Sequence, residues 1–152
     1  MTIAYTVLTN FRTDLYARLE SMTPNMEIPI GFTPRSLGAV ATSEIDDLTS
    51  QPRLCELRKP LFKRYEWFGK GTNASRWTVP LQIIYPDTYE WRAIAVDDAM
   101  QITDDLRESP LSTSGVALCN IDPEVGPTFE DLSDGDWFKM TIPLLTIIEE
   151  SS

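Results

Sequence analysis

Catalytic chemistry has few residues to work with in this chain. Histidine is absent, which removes the commonest general base, the Ser-His-Asp and Cys-His arrangements, and the commonest transition-metal ligand. Cys55 and Cys119 lie far apart, each inside an apolar run. That spacing is unlike a zinc cluster and fits two reduced, buried thiols. Gly69-Lys70-Gly71-Thr72 carries part of a phosphate loop but lacks the G-x-x-x-x-G-K-[ST] spacing, and it sits in a hairpin rather than before a helix. Asn73-Ala74-Ser75 has the form of a glycosylation acceptor, with no secretion signal to support it. Asp122, Glu124, Asp131, Asp134 and Asp136 could gather round a hard cation, but their spacing is not an EF-hand, and a plain acidic loop accounts for them. Asp46/Asp47 and Asp104/Asp105 are sequence neighbours whose side chains point apart. The expectation is a protein that is not an enzyme, with no cofactor and no metal.

The charges are more informative, because they are sorted along the chain. Residues 1–52 carry a net −3, residues 53–76 a net +5 and residues 77–152 a net −12. The basic segment holds Arg53, Arg58, Lys59, Lys63, Arg64, Lys70 and Arg76 against Glu56 and Glu66. Charge speaks to solubility and association rather than fold. One account is a solvated acidic surface with one basic hairpin. The other is head-to-tail attraction between copies, closing into rings or running on as filaments. On that account Lys63, Arg64, Lys70 and Arg76 of one subunit meet Asp97, Asp104, Asp105 and Glu108 of the next. The overall −10 argues against general nucleic-acid binding and against docking on an anionic membrane.

These side chains must be positioned by a domain of ordinary composition. A chain of 152 residues, 42% hydrophobic and 24% charged, reads as a single domain, 1–152, burying about two thirds of its unfolded surface. Residues 3–22 read as an amphipathic helix with Ala4, Val7, Leu8, Phe11, Leu15, Leu19 and Met22 as its stripe; Tyr5, Arg12 and Tyr16 on its flank suit an interface. Ile28, Ile30 and Phe32 alternate as a short edge strand. Residues 33–51 read as a long loop, with a short helix near 43–48. Residues 53–58 form a strand broken at Lys59-Pro60 and resumed over 61–68. Residues 69–73 make a turn-rich tip, and 76–85 return as a strand, giving a basic hairpin over about 53–85.

A second helix spans 91–108, with Trp91, Ala95, Ala99, Ile102 and Leu106 as its stripe. Asp97, Asp104 and Glu108 share another face, with Asp98 and Asp105 on its border. A strand over 115–121, an Asp134-Gly135 hairpin turn and a closing strand over 137–148 complete the order. The fold class is therefore α+β: a mainly antiparallel sheet with two amphipathic helices on one face, plus a long hairpin. Thr78-Val79-Pro80-Leu81 is echoed by Thr141-Ile142-Pro143-Leu144. Proline cannot donate to a ladder, so both are expected at sheet edges or bulges. Such strands are either neighbours or edges offered to other subunits; chance similarity is the simpler account.

The element order, from the helix at 3–22 through the hairpin at 53–85 and the helix at 91–108 to the strand at 137–149, resembles the tail terminator proteins of long-tailed bacteriophages. The resemblance rests on size and order over nearly the whole chain, since that family has no short fingerprint, and the 33–51 segment has no match in it. It implies a structural virion protein, made in the host cytoplasm, that forms a hexameric ring at the head-proximal end of the tail. Such a ring ends tube growth and joins tail to head. The implied partners are other copies of the chain, the tail tube protein and a head–tail connector or neck protein, with DNA passing through the lumen without specific binding and no membrane. An acidic wall would let DNA pass by repulsion. Another neck or head-completion component is an alternative. So is a small-molecule or peptide binding module of non-phage origin, with Trp67, Phe68, Trp77, Trp91 and Trp137 lining a pocket.

Overall fold

The computed structural model describes residues 3–25, 31–34, 52–67, 72–111, 113, 115–121, 126–132 and 136–151. In chain order these form α1 (Ile3–Ser21), β1 (Thr33–Pro34), β2 (Leu54–Leu57), β3 (Leu61–Trp67), β4 (Thr72–Pro86), α2 (Tyr89–Glu108), β5 (Val116–Ile121), β6 (Thr128–Asp131) and β7 (Trp137–Ser151). β4 and β7 are each 15 residues long and pair antiparallel over their whole length. At about 3.3 Å per residue they make a spine of about 50 Å. β2 and β3 both pair with the free side of β4, while β5 and β6 both pair with the free side of β7. β1 adds a two-residue parallel pairing outside β2.

Alternation along the spine sets the two faces. Val79, Leu81, Ile83 and Tyr85 lie directly opposite Leu144, Ile142, Met140 and Phe138, and all eight are buried. Phe11, Leu15 and Leu19 of α1 and Ala95, Ala99, Ile102 and Leu106 of α2 join the same cluster. Both helices therefore cover one face of a mostly antiparallel sheet, as the periodicity predicts. On the other face Leu54, Ile84 and Leu132 form a smaller cluster with Trp137 against it.

The helix ends follow local chemistry. The Thr88 hydroxyl accepts from the Trp91 N–H (3.2 Å), so α2 starts at Tyr89, two residues before the expected start. Its C-terminus closes where the Ser109 N–H donates to the Asp105 carbonyl, with Pro110 just beyond. α1 ends at Ser21, one residue short of the expected end.

The two prolines sit in the central strands rather than at edges, a correction with a clear physical reason. Pro80 faces Pro143 across the spine. The Pro80 carbonyl accepts from the Arg58 N–H (2.8 Å), so the proline nitrogen points to the side where β2 ends, at Arg58–Pro60. Pro143 falls on the other side, opposite the break between Ile121↔Leu144 and Thr128↔Thr141. Each missing N–H thus lies where the flanking strand is interrupted, and the repeated Thr-x-Pro-Leu marks neighbouring strands in register.

Other expectations shift in detail. The 53–58 strand is Leu54–Leu57, because Arg53 adopts φ 65° and forms a corner instead. The expected edge strand around Ile28 and Ile30 lies outside the described residues; Phe32 is buried in the core, and the pairing starts at Thr33. Apart from Thr33 and Pro34, the 33–51 loop and its helix also lie outside them. Asn73 belongs to β4 rather than to the tip, and Ala74 and Ser75 are buried in the same strand. The 128–131 strand and the start of β7 do form a hairpin, with Asp131 opposite Phe138.

Candidate subunit interface

The expected interface draws on a basic segment and an acidic helix face, and Arg53 of that segment and Asp98 from the border of that face lie inside the core. Arg53 and Asp98 are both fully buried. The Arg53 guanidinium donates twice to the Asp98 carboxylate, Nε to Oδ2 at 2.7 Å and an Nη at 2.9 Å to Oδ1. The Tyr85 hydroxyl donates to the same Oδ2 at 2.9 Å. The guanidinium lies between the Phe32 ring (5.7 Å) and the Trp91 ring (5.5 Å). Its backbone is equally engaged: the Arg53 N–H donates to the Ile84 carbonyl and its carbonyl accepts from the Thr33 N–H. This pair joins the start of β2, the end of β4, α2 and the β1 corner. Asp98 is thus not on the border of an acidic face, and Arg53 adds nothing to a basic surface. The Tyr85 pKa is driven well above its ordinary value, first by burial and then by the Asp98 charge.

The remaining predicted residues separate into two groups. Lys63 and Arg64 are exposed on β3. Arg76 is half-buried on β4, directly opposite Arg64 in the ladder. Lys70 lies outside the described residues. On α2, Asp104 and Glu108 are exposed and Asp97 is half-buried. Asp104 has a long pairing with Arg107, 3.8 Å. Asp105 is already engaged within the chain, accepting from Arg18 of α1 at 2.9 Å and so tying the two helices together.

The structure does not bring the two groups together. β3 flanks the first half of β4, and β6, which borders α2, flanks the first half of β7. With two strands between them and an offset of eight residues, Arg64 on β3 and Glu130 on β6 stand roughly 30 Å apart along a diagonal of the sheet.

Apolar side chains mark the same two corners, and the sequence reading missed them. Among the described residues the exposed large hydrophobics are Tyr5, Leu61, Phe62, Tyr65, Tyr89, Val96, Met100 and Phe129. Three of them lie on β3 and three around the α2/β6 corner. The β3 register slips between Phe62 and Arg64. The bulge at Lys63 leaves Phe62 opposite Trp77 and Tyr65 opposite Ser75, both on the helix-side face. Their rings pack 5.0 Å apart, and Phe62 meets Trp77 edge-on at 5.4 Å. At the other corner Val96, Met100 and Phe129 line a groove of about 410 Å³ with Asp104 and Arg107 at its rim. Val96 and Met100 are four apart on α2, off the Ala95–Ala99–Ile102 stripe, and that second apolar row was the available signal.

The other flagged residues have plain structural places. The Tyr16 hydroxyl accepts from the outward-pointing Leu57 N–H of β2 (2.9 Å), and Arg12 stacks on the Tyr16 ring (5.4 Å). Trp91 packs against the main core and Trp137 against the opposite-face cluster, so these two do not share a pocket; the Trp67 side chain and Phe68 lie outside the described residues. Cys55 is buried and Cys119 half-buried, both as free thiols. Burial pushes both up to about 12, with Glu20 adding to the rise at Cys55 and a hydrogen bond to Thr146 opposing it at Cys119. Asp131, from the acidic loop, pairs with Arg92. Among the described residues no group of three carboxylates and thiols is placed to hold a metal ion, and no helix is long and apolar enough to cross a membrane. No protein-family model matches the chain, and no curated protein matches it.

Proposed function

We propose that this chain is a structural subunit of a bacteriophage neck or tail end, a tail-terminator-like protein that works by joining copies of itself head to tail into a ring. The observation that carries the reading is the diagonal separation of two complementary corners. Lys63 and Arg64 stand on β3, while Asp104 and Glu108 stand on α2, with Glu130, 3.2 Å from Lys139, on β6. Complementary patches on different parts of one subunit cannot satisfy each other within it. They favour heterologous contacts, which a rotation closes into a ring. The buried Arg53–Asp98 pair supports this use by fixing α2 against the sheet, so that both corners belong to one rigid frame. In this role the protein binds a tail tube and a connector protein, acts on no substrate, and passes DNA without gripping it.

Deleting the gene from the phage that encodes the protein tests the reading. Particles lacking a terminator should carry overlong tail tubes or unjoined heads and tails, and the added protein should appear as a ring at the head-proximal end. Tails of normal length, joined normally to heads without the protein, would overturn it.

A further inference from the structure

We infer that the cleft between α1 and the end of β2 is a binding site for a small organic carboxylate with an apolar tail. The cleft opens because β2 stops at Leu57 and β3 starts only at Leu61, so Lys59 and Pro60 pass the flank of β4 outside the ladder. Its volume is about 360 Å³, within the size range of small-molecule sites. The buried Phe11, Leu57 and Val79, with Leu8 and Pro60, give it an apolar lining. Two cations border it, Arg12 and Lys59, both exposed. Neither has an ion-pair partner among the described residues. Glu56 and Arg58 also border the cleft, but the Arg58 guanidinium donates to the Glu56 carboxylate at 2.6 Å. Glu56 lies opposite Gln82, on the face away from the helices. Those two charges offset each other, and the excess left at the cleft is positive in a chain of net −10. Arg12 is also held in place. Its guanidinium lies 5.4 Å from the centre of the Tyr16 ring, and the Tyr16 hydroxyl is fixed by the Leu57 N–H at 2.9 Å. Stacking uses the flat face of a guanidinium and leaves its N–H edge for an acceptor. That planar fork matches a carboxylate, Lys59 supplies a second positive charge, and the apolar lining takes a hydrocarbon tail. The same Tyr16 contact argues against an extended peptide, which would add to the β2 edge through the Leu57 N–H; that donor is already spent. The site is separate from the two corners of the ring reading and stands whether or not the ring forms.

Octanoate is the probe, with octanol and octylamine as its neutral and cationic counterparts. Isothermal titration calorimetry of the whole chain at low salt should show saturable octanoate binding at a single site, about tenfold tighter than octanol, the worth of one hydrogen-bonded charge contact. Octylamine should not bind. Arg12→Gln, at an exposed position, should keep the fold by circular dichroism and remove the preference for octanoate, while octanol binds as before. Lys59→Gln should reduce that preference, and added salt should do the same in the wild type. The methyl resonances of Leu8, Leu57 and Val79 should shift as octanoate is added. Equal affinity for octanoate and octanol would mean that the cleft recognises no anion and would overturn the assignment. So would octanoate binding that Arg12→Gln leaves unchanged, or shifts at Val96 and Met100 instead, which would put the ligand in the α2/β6 groove. No saturable binding at millimolar octanoate also overturns it. If in that case the peptide Glu-Leu-Glu-Leu binds, or Arg12→Gln abolishes self-association, the cleft belongs to a protein partner instead.

Discussion

Replacing Asp98 by alanine should be among the most damaging single changes in this protein. The substitution takes from Arg53 two hydrogen bonds to the Asp98 carboxylate, at 2.7 and 2.9 Å, and from Tyr85 its Asp98 acceptor. The guanidinium cannot shed its proton, and with no exposure it cannot reach water. The flanking Phe32 and Trp91 rings soften the loss. Removing one member of a buried ion pair costs about 3–5 kcal/mol, out of a total stability of roughly 5–15 kcal/mol. At roughly 2–4 °C per kcal/mol for a chain of this size, the melting midpoint should fall by about 6–20 °C. Tyr85→Phe removes one hydrogen bond to a charged group and should cost about 1.5–3 kcal/mol. The Arg53→Met, Asp98→Leu double variant removes both charges and should be more stable than Asp98→Ala. Urea unfolding followed by circular dichroism reads all three, through a shifted midpoint at constant slope. A cost below about 1 kcal/mol for Asp98→Ala, or a double variant no better than the single, would refute the claim that a charge pair holds this corner.

Leu15→Asp puts a charge at a position with no exposure and should destabilise by several kcal/mol, whereas Asp104→Asn, at an exposed side chain, should stay within about 0.5 kcal/mol; thermal melts in the reverse order would show the helix faces to be misassigned. Gly115→Ala should be destabilising, since Gly115 has φ +90° and an added Cβ would lie 2.9 Å from a Val7 methyl; a neutral outcome would mean that α1 can shift away from the 115 corner. Stability should be full below pH about 9 and fall as pH climbs towards 12, because Cys55, Cys119 and Tyr85 all have raised values in the fold and so hold protons that the unfolded chain releases. Melts that stay flat across that range would contradict the burial of these groups. Charge reversal at Lys63 and Arg64 to Glu should weaken self-association, as should added salt in the wild type; association indifferent to both would remove the electrostatic part of the interface. Duplex DNA should bind weakly at physiological salt, and submicromolar binding with a steep salt slope would assign Lys63, Arg64 and Arg76 to nucleic acid instead.

The period of the apolar residues made most of the framework legible. The i, i+3, i+4 rows of α1 and α2 and the strict alternation through Val79–Tyr85 are each enforced by burial on one face, and burial is what the pattern records. Arg53 was not legible, because its place depends on a left-handed backbone corner that sequence signals assign to glycine or asparagine. Asp98 left a faint signal: it falls three residues after Ala95 and four before Ile102, inside the stripe by spacing. Charge type alone argued for the surface, and the partner that reversed this is 45 residues away.

The interface reading illustrates a related limit and a gain. Counting charges along the chain put Arg53 in the basic segment, Asp98 on the border of the acidic face and Asp105 among the residues offered to a neighbour. The fold spends the first two on each other and engages Asp105 with Arg18. What remains is smaller, because Asp104 lies 3.8 Å from Arg107 and Glu130 pairs with Lys139. Lys63 sits at the bulge that turns Phe62 and Tyr65 to one face, and Asp104 sits at the rim of the groove lined by Met100 and Phe129. Charges alone on a surface contribute little to affinity. A head-to-tail ring of the kind proposed would therefore have to draw its strength from the apolar side chains exposed on β3 and beside α2, with charge contributing direction and on-rate.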